Sequence, residues 1–480
     1  MTAEDGPRWA APPKRWVLAG IVAVLVEISI GLIVGSQHQA STAPQQNFGS
    51  TSMLSGWLPT TVQLVSFVVL ILAVGLRSRR WWIRWMPIAA AAGVVTALAL
   101  RWYITYEGLT GDPAPVMFWI WTALSGASLA ILTLGWRGAP WWRRAASALA
   151  VPLCLLCTVL LLNIWVGYVR TVESARVFLT SGPLPNQTDM ATVKAMAAKG
   201  VVPGEGRIVP VTTGADGSHF KHRGEFVYLP PEWFTSVPPP QLPVLMMIGG
   251  VFGKSSDWAG DGQKIANAFA AAHGGSAPVM VFVDQGGAFG KDTECVNGPL
   301  GNAADHLTKD VVPFMISNFG VSSNSANWGI VGWSMGGTCA IDLTVMHPDL
   351  FSAFVDIAGE MGPGAGTKQQ TIDRLFGGNE EAWASFDPTT VMTRHGSYTG
   401  VSGLFAVEAP TGSGQPSEVA VAAKSLAQTA AAAGISCAIL EVPGKHDWSF
   451  GPKVFEQTLP WLGGQLGTPG VPRIPLPGAP

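Results

Sequence analysis

The stretch Gly332-Trp333-Ser334-Met335-Gly336-Gly337 decides the fold of the C-terminal half. It follows a short apolar run, Trp328–Val331, and opens a helical pattern over Thr338–Met346. A serine flanked by glycines in this way fits a tight strand-to-helix turn, because side chains at the glycine positions would clash there. The turn exposes the Ser334 hydroxyl beside a helix N-terminus, where a developing negative charge is favoured. Ser334 is therefore the predicted nucleophile, and an ordinary serine in a glycine-rich turn is the alternative.

Apolar runs of the same kind recur on both sides of this turn. They are Val244–Ile248, Val279–Val283, Ala353–Ile357, Gly403–Val407 and Ala438–Val442. Short continuous runs bounded by turn residues are typical of strands buried on both faces of a parallel sheet. Because Ala-rich helical patterns alternate with them, residues 207–466 are predicted to form a doubly wound, mostly parallel α/β sheet. The Pro- and Gly-rich tail, residues 467–480, is expected to be disordered.

A serine needs a base to lose its proton at neutral pH. In strand–turn–helix sites of this kind the order along the chain is serine, acid, histidine. His446 lies in Gly444-Lys445-His446-Asp447-Trp448, directly after the last predicted strand, and is the predicted base. His347 is typical of a helix cap, and His395 lies in a polar loop with no strand before it.

The acid of the site has several candidates. Glu408 comes at the end of the strand Gly403–Val407, where an acid that orients the imidazole is expected. Glu418 is the alternative, although a glutamate in the first turn of a helix also favours the helix dipole. Asp356 and Glu360, after the preceding strand, remain further possibilities.

An oxyanion hole is expected from backbone N–H groups around Ser334. One would come from Met335, and the other from Gly250 or Val251 in the loop Gly249-Gly250-Val251-Phe252-Gly253. Glycine there lets the backbone approach a substrate closely, although a plain strand-to-helix turn would tolerate it as well.

The N-terminal half is apolar enough to enter a membrane. The chain of 480 residues is 48% hydrophobic and only 12% charged, whereas soluble domains carry about 25% charged residues. Runs near the 20 residues needed to cross a bilayer are predicted as five transmembrane helices. They are Trp16–Gly35, Trp57–Leu76, Met86–Trp102, Val116–Trp136 and Ala148–Val169. The domain order is then a cytoplasmic N-terminus (1–15), a membrane domain (16–169), a linker (170–206) with a helix over Thr188–Lys199, the sheet domain and the tail.

Basic residues predict the orientation of these helices. Lys and Arg cluster before the first run, between the second and third, and between the fourth and fifth, whereas the other connections are nearly free of them apart from Arg101. This alternation places the N-terminus in the cytoplasm and, with an odd number of spans, the sheet domain outside it. Glu27 interrupts the first run, which argues against a cleaved signal peptide. Its carboxyl group is interpreted as a partner in an interhelical hydrogen bond or as a group that contacts a proton or a lipid headgroup.

The C-terminal half resembles the esterase family of α/β-hydrolases, which includes esterase D and the bacterial mycolyltransferases. The resemblance covers roughly residues 207–464. It rests on the following residues: Val227-Tyr228-Leu229-Pro230-Pro231, Leu242-Pro243-Val244 before Gly249-Gly250, Ser255-Ser256-Asp257-Trp258, the Ser334 turn, His347-Pro348 and the His446 loop. It implies a serine–acid–histidine triad and acyl-ester chemistry without a metal or cofactor. The family's usual His-Gly after the third strand is Ile248-Gly249 here, so the oxyanion loop is expected to differ.

The cysteines of the sheet domain predict one disulfide. Cys295 follows the strand Val279–Val283, and Cys339 lies one turn into the helix after Ser334. The C-terminal ends of such strands share one edge of the sheet, and a domain outside the cytoplasm can keep disulfides. We therefore expect a Cys295–Cys339 bond with Cys437 as a free thiol; three free thiols are the alternative. Cys154 and Cys157, within a span, are expected to pack as small apolar residues.

The sequence thus predicts an α-helical membrane bundle followed by an α/β-hydrolase domain. The favoured function is a membrane-anchored, extracytoplasmic serine esterase or acyltransferase acting on lipid or cell-envelope acyl esters. A catalytically degenerate domain that serves as a membrane-anchored binding or scaffold protein is the alternative. Transport is disfavoured, because apart from Glu27, Arg101 at the end of the third run and a few small or polar residues, the spans lack the ionisable groups that transport pathways use. The net charge of −2 gives no reason to expect a nucleic-acid partner, and the sequence does not indicate protein partners.

Overall fold

The computed structural model of the chain describes residues 50–109, 114–180, 182–409 and 416–478. The predicted first span, Trp16–Gly35, lies outside these residues, as do Glu27 and the N-terminal residues 1–15. The described N-terminal half is helical: α1 (Trp57–Val74), α2 (Arg79–Arg84), α3 (Met86–Tyr106), α4 (Val116–Gly135) and α5 (Trp141–Val166). Together they give four segments long and apolar enough to cross a membrane, with α2 and α3 counted as one, residues 79–106.

The C-terminal half is built on an eight-stranded sheet in the order β1-β2-β4-β3-β7-β8-β9-β10. Its strands are β1 (Arg207–Val211), β2 (Glu225–Leu229), β3 (Val244–Ile248), β4 (Val279–Phe282), β7 (Trp328–Trp333), β8 (Ala353–Ile357), β9 (Ser402–Glu408) and β10 (Ser436–Val442), and a separate pair joins β5 (Asn297–Gly298) to β6 (Gly301–Asn302). The strands from β4 to β10 in this order are parallel, and β1 and β2 are antiparallel. All six predicted strands are therefore present in one mostly parallel sheet, which confirms the fold class.

Helices cover both faces of the sheet. After α6 (Val172–Thr180) and α7 (Met190–Ala198) they are α8 (Ser255–Ala272), α9 (Ala303–Asp305), α10 (Val312–Phe319), α11 (Met335–Met346), α12 (Lys368–Phe376), α13 (Glu380–Ala384), α14 (Pro388–His395), α15 (Glu418–Ala432) and α16 (Phe450–Gln465). A π-helical turn, His306–Val311, joins α9 to α10. The core is divided by the sheet because strand residues alternate: Met246 and Ile248 pack on one face, and Leu245 and Met247 on the other.

Two segments expected to lie apart from the sheet domain are packed against it. The segment 170–206, expected to be a linker, carries α6 and α7, and Val193 of α7 is buried in the core. In the tail, residues 467–478 are held near the domain, with Val471 and Leu476 packed against the other core cluster. Both differences have the same cause. Each segment carries apolar side chains, and these become buried by packing against the core of the sheet domain.

Candidate active site

Ser334 lies on a backbone turn that its neighbours enforce. Its φ of 57° is a left-handed conformation that costs energy in a residue with a side chain. A Cβ on Gly332 would lie 1.6 Å from the Gly336 carbonyl oxygen, and a Cβ on Gly336 would lie 2.4 Å from the Ile248 oxygen. The turn therefore requires both glycines, as the sequence predicted. It places Ser334 at the start of α11, at the C-terminal edge of the parallel strands.

His446 and Glu408 complete a hydrogen-bonded chain from the serine. The His446 Nε2 atom lies 3.1 Å from the Ser334 Oγ atom. On the other side of the ring, His446 Nδ1 lies 3.1 Å from Glu408 Oε1. Burial favours the neutral carboxyl, but the hydrogen bond with His446 and the electrostatic attraction to it together outweigh burial and lower the pKa of Glu408. The ring of Trp333 meets the imidazole edge-on at 4.3 Å between centroids, which restricts its rotation.

The other acid candidates lie elsewhere. Glu418 is exposed in the first turn of α15. Asp356 is buried beneath the turn, where its Oδ1 atom accepts a hydrogen bond from the Gly359 N–H and its pKa is raised to about 7 by burial. Glu360 is joined through its backbone N–H to the Thr338 hydroxyl. Among the described residues, Glu408 is the carboxylate hydrogen-bonded to His446.

The predicted oxyanion loop borders Ser334. A Cβ on Gly250 would lie 3.4 Å from the Ser334 Cβ atom, so the loop backbone lies directly beside the serine. The Gln285 side chain donates to the carbonyls of Gly249 and Gly250 at 2.9 and 3.2 Å. In a trans peptide the N–H points opposite to the C=O. The N–H groups of Gly250 and Val251 therefore point away from Gln285.

Two further side chains hold this loop. Trp258 Nε1 donates to the Ile248 carbonyl at 2.9 Å. Arg223 donates to the Gly253 carbonyl at 3.0 Å and pairs with the buried Asp284 at 2.6 Å. The sequence analysis missed Gln285, Arg223 and Asp284. Of these, Asp284 and Gln285 directly follow β4, and the tendency of polar groups at strand ends to serve the site could have indicated them.

The Met335 N–H is the other predicted oxyanion donor. Met335 is the first residue of α11, so its N–H belongs to the first turn, where backbone donors lack helical acceptors. Within the residues that the structure describes, this N–H has no hydrogen-bond acceptor. It is available to a ligand beside Ser334 and lies where the positive end of the helix dipole favours an anion.

Cys295 and Cys339 are joined by a disulfide with their Cα atoms 5.7 Å apart. The bond ties the loop after β4 to the first turns of α11, one turn beyond Ser334. Cys437 is a free, half-buried thiol, and Cys154 and Cys157 are free and buried between helices. The predicted disulfide is therefore present.

A second polar cluster lies behind the loop after β4. His222, Glu225 and His306 bring potential metal ligands within 4.8 Å of one another. Both ring nitrogens of His222, however, face main-chain carbonyl oxygens, at 2.8 and 3.0 Å, and whichever nitrogen carries the proton donates to its carbonyl. His306 lies between Glu225 and Asp310 at 3.2 and 3.3 Å; burial opposes its charge, but these carboxylates outweigh burial and raise its pKa. Each of these three side chains therefore has a hydrogen-bonding partner within the protein.

Comparison with known proteins shows which family the C-terminal half matches. The model of the Esterase family, described as "Putative esterase", matches residues 221–461, about half of the chain. An uncharacterized protein of Corynebacterium glutamicum is 32% identical over 258 residues, which are 52% of this chain and 59% of that protein. The chain therefore spans less than two thirds of the length of this relative.

Solved structures give weaker likenesses. A ferulic acid esterase superposes with a TM-score of 0.43 at 18% identity, covering 55% of this chain and 99% of its own. An S-formylglutathione hydrolase from Agrobacterium tumefaciens gives 0.43 at 15% identity, covering 54% of this chain and 99% of its own. At such scores, the family assignment rests on the family model.

Proposed function

We propose that this chain, which belongs to the esterase family of α/β-hydrolases, is a membrane-anchored serine esterase or acyltransferase acting on lipid or cell-envelope acyl esters. The observation that carries the proposal is the chain of hydrogen bonds Ser334–His446–Glu408 on a strained strand-to-helix turn. A serine held 3.1 Å from an imidazole that is itself oriented by a carboxylate is arranged to form an acyl-enzyme.

The first half of the reaction forms the acyl-enzyme. His446 Nε2 takes the proton of the Ser334 hydroxyl as Oγ attacks the carbonyl carbon of the ester. The carbonyl oxygen becomes an oxyanion, which the N–H groups of Met335 and of Gly250 or Val251 stabilise. When the tetrahedral intermediate collapses, the bond to the alcohol oxygen breaks and His446 returns its proton to that oxygen. Glu408 keeps the Nδ1 proton in place and stabilises the imidazolium.

The second half releases the acyl group. A water molecule or an acceptor hydroxyl gives its proton to His446 and attacks the acyl carbon, and Ser334 leaves as its alcohol with that proton. Water yields a carboxylic acid, and a sugar or lipid hydroxyl yields a new ester. The two outcomes differ in whether water is kept away from the acyl-enzyme.

Apolar side chains beside the oxyanion loop support a lipid substrate. Phe252 follows Val251 in that loop, and its ring lies 5.7 Å from the ring of Phe289, which is 62% exposed. Exposed apolar groups at a site rim are typical of contact with a ligand or a lipid surface. We infer that an acyl chain approaches Ser334 past Phe252 and Phe289.

The basic residues support a catalytic domain outside the cytoplasm, and a disulfide is more stable there than in a reducing compartment. A reporter fused after Arg80 should then be active in the cytoplasm, and one fused after Arg170 should be active outside it. Both reporters on the same side of the membrane would contradict this topology.

Ser334→Ala tests the proposed chemistry. In the full-length protein it should lower turnover of a p-nitrophenyl ester by more than about a thousandfold. It should also abolish labelling by a fluorophosphonate, because that probe bonds to an activated serine oxygen. Ser317→Ala, at an exposed position on α10, is the matched control and should behave as the wild type.

Labelling that persists in Ser334→Ala would place the nucleophile elsewhere. A folded wild-type protein with neither labelling nor turnover would favour the membrane-anchored binding protein instead.

A further inference from the structure

The chain just after the last apolar helix is folded tightly against the active site. Gly167 ends α5 with a φ of 79°, and a Cβ there would lie 3.0 Å from the Trp448 backbone nitrogen. The Asn163 side chain binds both backbone groups of Val169, donating to its oxygen at 2.8 Å and accepting from its N–H at 2.9 Å. The Trp448 N–H donates to the Val166 carbonyl at 2.9 Å. These contacts fix the backbone on both sides of Tyr168.

The ring of Tyr168 packs against the histidine loop. It stacks on the Trp448 ring at 5.2 Å between centroids with a 20° angle between planes. Trp448 lies two residues after His446, and its Nε1 atom donates to Asp261 Oδ2 at 2.9 Å. Arg170 forms an ion pair with the same carboxylate. The Tyr168 ring therefore packs on a tryptophan that is itself held in place by a hydrogen bond.

The hydroxyl of Tyr168 lies at the oxyanion loop. A Cβ on Gly250 would lie 3.2 Å from Tyr168 Oη and 3.4 Å from Ser334 Cβ, so both atoms border the same small space. A Cβ on Gly253 would lie 3.0 Å from the same hydroxyl. A phenol, whose ordinary pKa is about 10, keeps its proton at neutral pH and can donate it in a hydrogen bond.

We propose that Tyr168 is a catalytic residue whose hydroxyl donates a hydrogen bond to the oxyanion, beside the backbone N–H groups of Met335 and the Gly250 loop. The assignment rests on the proposed esterase chemistry of Ser334. Side-chain hydroxyls serve as oxyanion donors when they are held in place before the reaction. Tyr168 lies outside the residues that match the family model, 221–461. In this assignment, the segment that follows α5 supplies a part of the site that the hydrolase domain lacks by itself.

Tyr168→Phe in the full-length protein, in detergent micelles, tests the assignment. Phenylalanine keeps the ring that stacks on Trp448 and removes only the hydroxyl. Loss of one oxyanion donor should lower kcat for p-nitrophenyl butyrate by about a hundredfold, with KM changed less than about twofold. A trifluoromethyl ketone, which forms a tetrahedral oxyanion on Ser334, should lose affinity by a similar factor. Tyr103→Phe, at an exposed position on α3, is the control and should match the wild type.

The outcomes separate this assignment from the proposed function. Complete fluorophosphonate labelling of Tyr168→Phe after long incubation, with an unfolding temperature near that of the wild type, would establish that the variant is folded. A folded variant with kcat within about threefold of the wild type, or with only KM changed, would overturn the role of the hydroxyl while leaving Ser334 as the nucleophile. A wild-type protein without turnover or labelling would overturn the proposed function and this assignment together.

Discussion

The two halves of the molecule bury apolar residues in different ways. In the sheet half, each residue of β3 is fully buried, and large aromatic residues such as Trp258 and Phe405 fill the core. In the helical half, only 11% to 33% of the most apolar window of each long helix is buried inside the protein. Exposed apolar surface costs about 25 cal/mol per Å² in water, so this low burial is typical of helices whose outer faces contact lipid.

The contacts between the helices differ in kind as well. A Cβ on Gly93 of α3 would lie 2.4 Å from the Ala123 carbonyl oxygen of α4, so the two helix backbones touch at a glycine. The Ser125 hydroxyl lies 3.2 Å from the Thr158 hydroxyl of α5. Small residues and hydroxyls join helices in membranes, because lipid removes the hydrophobic drive for burying large side chains. The sheet half folds as a water-soluble domain does, whereas the helical half is assembled by close backbone contact.

If the residues that transfer the proton lie in the sheet half, Glu408→Gln should lower activity more than any other change described below. An amide cannot hold the imidazole in the required tautomer, so kcat for a p-nitrophenyl ester should fall by about a hundredfold to ten-thousandfold. Glu418→Gln is the matched control and should stay within about twofold of the wild type. Steady-state kinetics on both variants measures this difference. A larger loss in Glu418→Gln would show that the acid had been assigned to the wrong residue.

The interaction between Glu408 and His446 also predicts how the stability of the protein depends on pH. The folded pKa of Glu408 is lowered from its ordinary 4.5 by His446, against the effect of burial. Its contribution is therefore present above about pH 4.5 and is lost as the pH falls through the lowered value. The Glu408→Gln variant should lose less stability than the wild type on acidification through that range.

The sequence predicted much of this site because strand ends converge. Ser334, His446 and Glu408 each follow a short apolar run, and parallel strands bring their C-terminal ends to one edge. The choice between Glu408 and Glu418 stayed open because both precede His446 by suitable intervals. Only the geometry separates them, since Glu418 is exposed in the first turn of α15.

Other features of the structure could not be predicted from the sequence pattern. Strands β1 and β2 were not predicted as such; β1 contains Pro210, a residue that disfavours strand pairing except at edges, where this strand lies. Tyr168 falls inside the predicted fifth span, Ala148–Val169, but the helix ends earlier, at Val166. The left-handed turn at Gly167 then brings the Tyr168 hydroxyl to Gly250. Contacts between two halves that follow different packing rules are not encoded by the periodicity of either half.

The disulfide of the sheet half is expected to have a smaller effect, on stability rather than on activity. Replacing Cys295 and Cys339 together by serine should lower the free energy of unfolding of the sheet half by about 2–4 kcal/mol, because the unfolded chain regains freedom. A reductant should lower the unfolding temperature of the wild type and leave that of this variant unchanged.

The matched control replaces Cys154 and Cys157 of the helical half, which are free thiols. That variant should respond to reductant as the wild type does. Alkylation of Cys295 and Cys339 in the unreduced protein, detected by mass spectrometry, would contradict the bond.

The smallest expected effect concerns an ion pair that joins the two halves. Arg374 of α12 pairs with Glu107 at the end of α3, and its guanidinium lies 5.3 Å from the centre of the Tyr106 ring. Both charged side chains are partly exposed, so their coupling should be roughly 0.5–1 kcal/mol and should weaken as salt is added. A double-mutant cycle with Glu107→Gln and Arg374→Gln, read from unfolding of the full-length protein, measures it.

The exposed pair Arg394–Glu381, which lies wholly within the sheet half, provides the control cycle and should give a coupling near zero. A coupling across the halves above that of the control means that the sheet domain docks on the helices in solution. A value no larger than the control would mean that this ion pair does not hold the two halves together, so that other contacts, such as those around Tyr168, would have to hold the active site to the helical half.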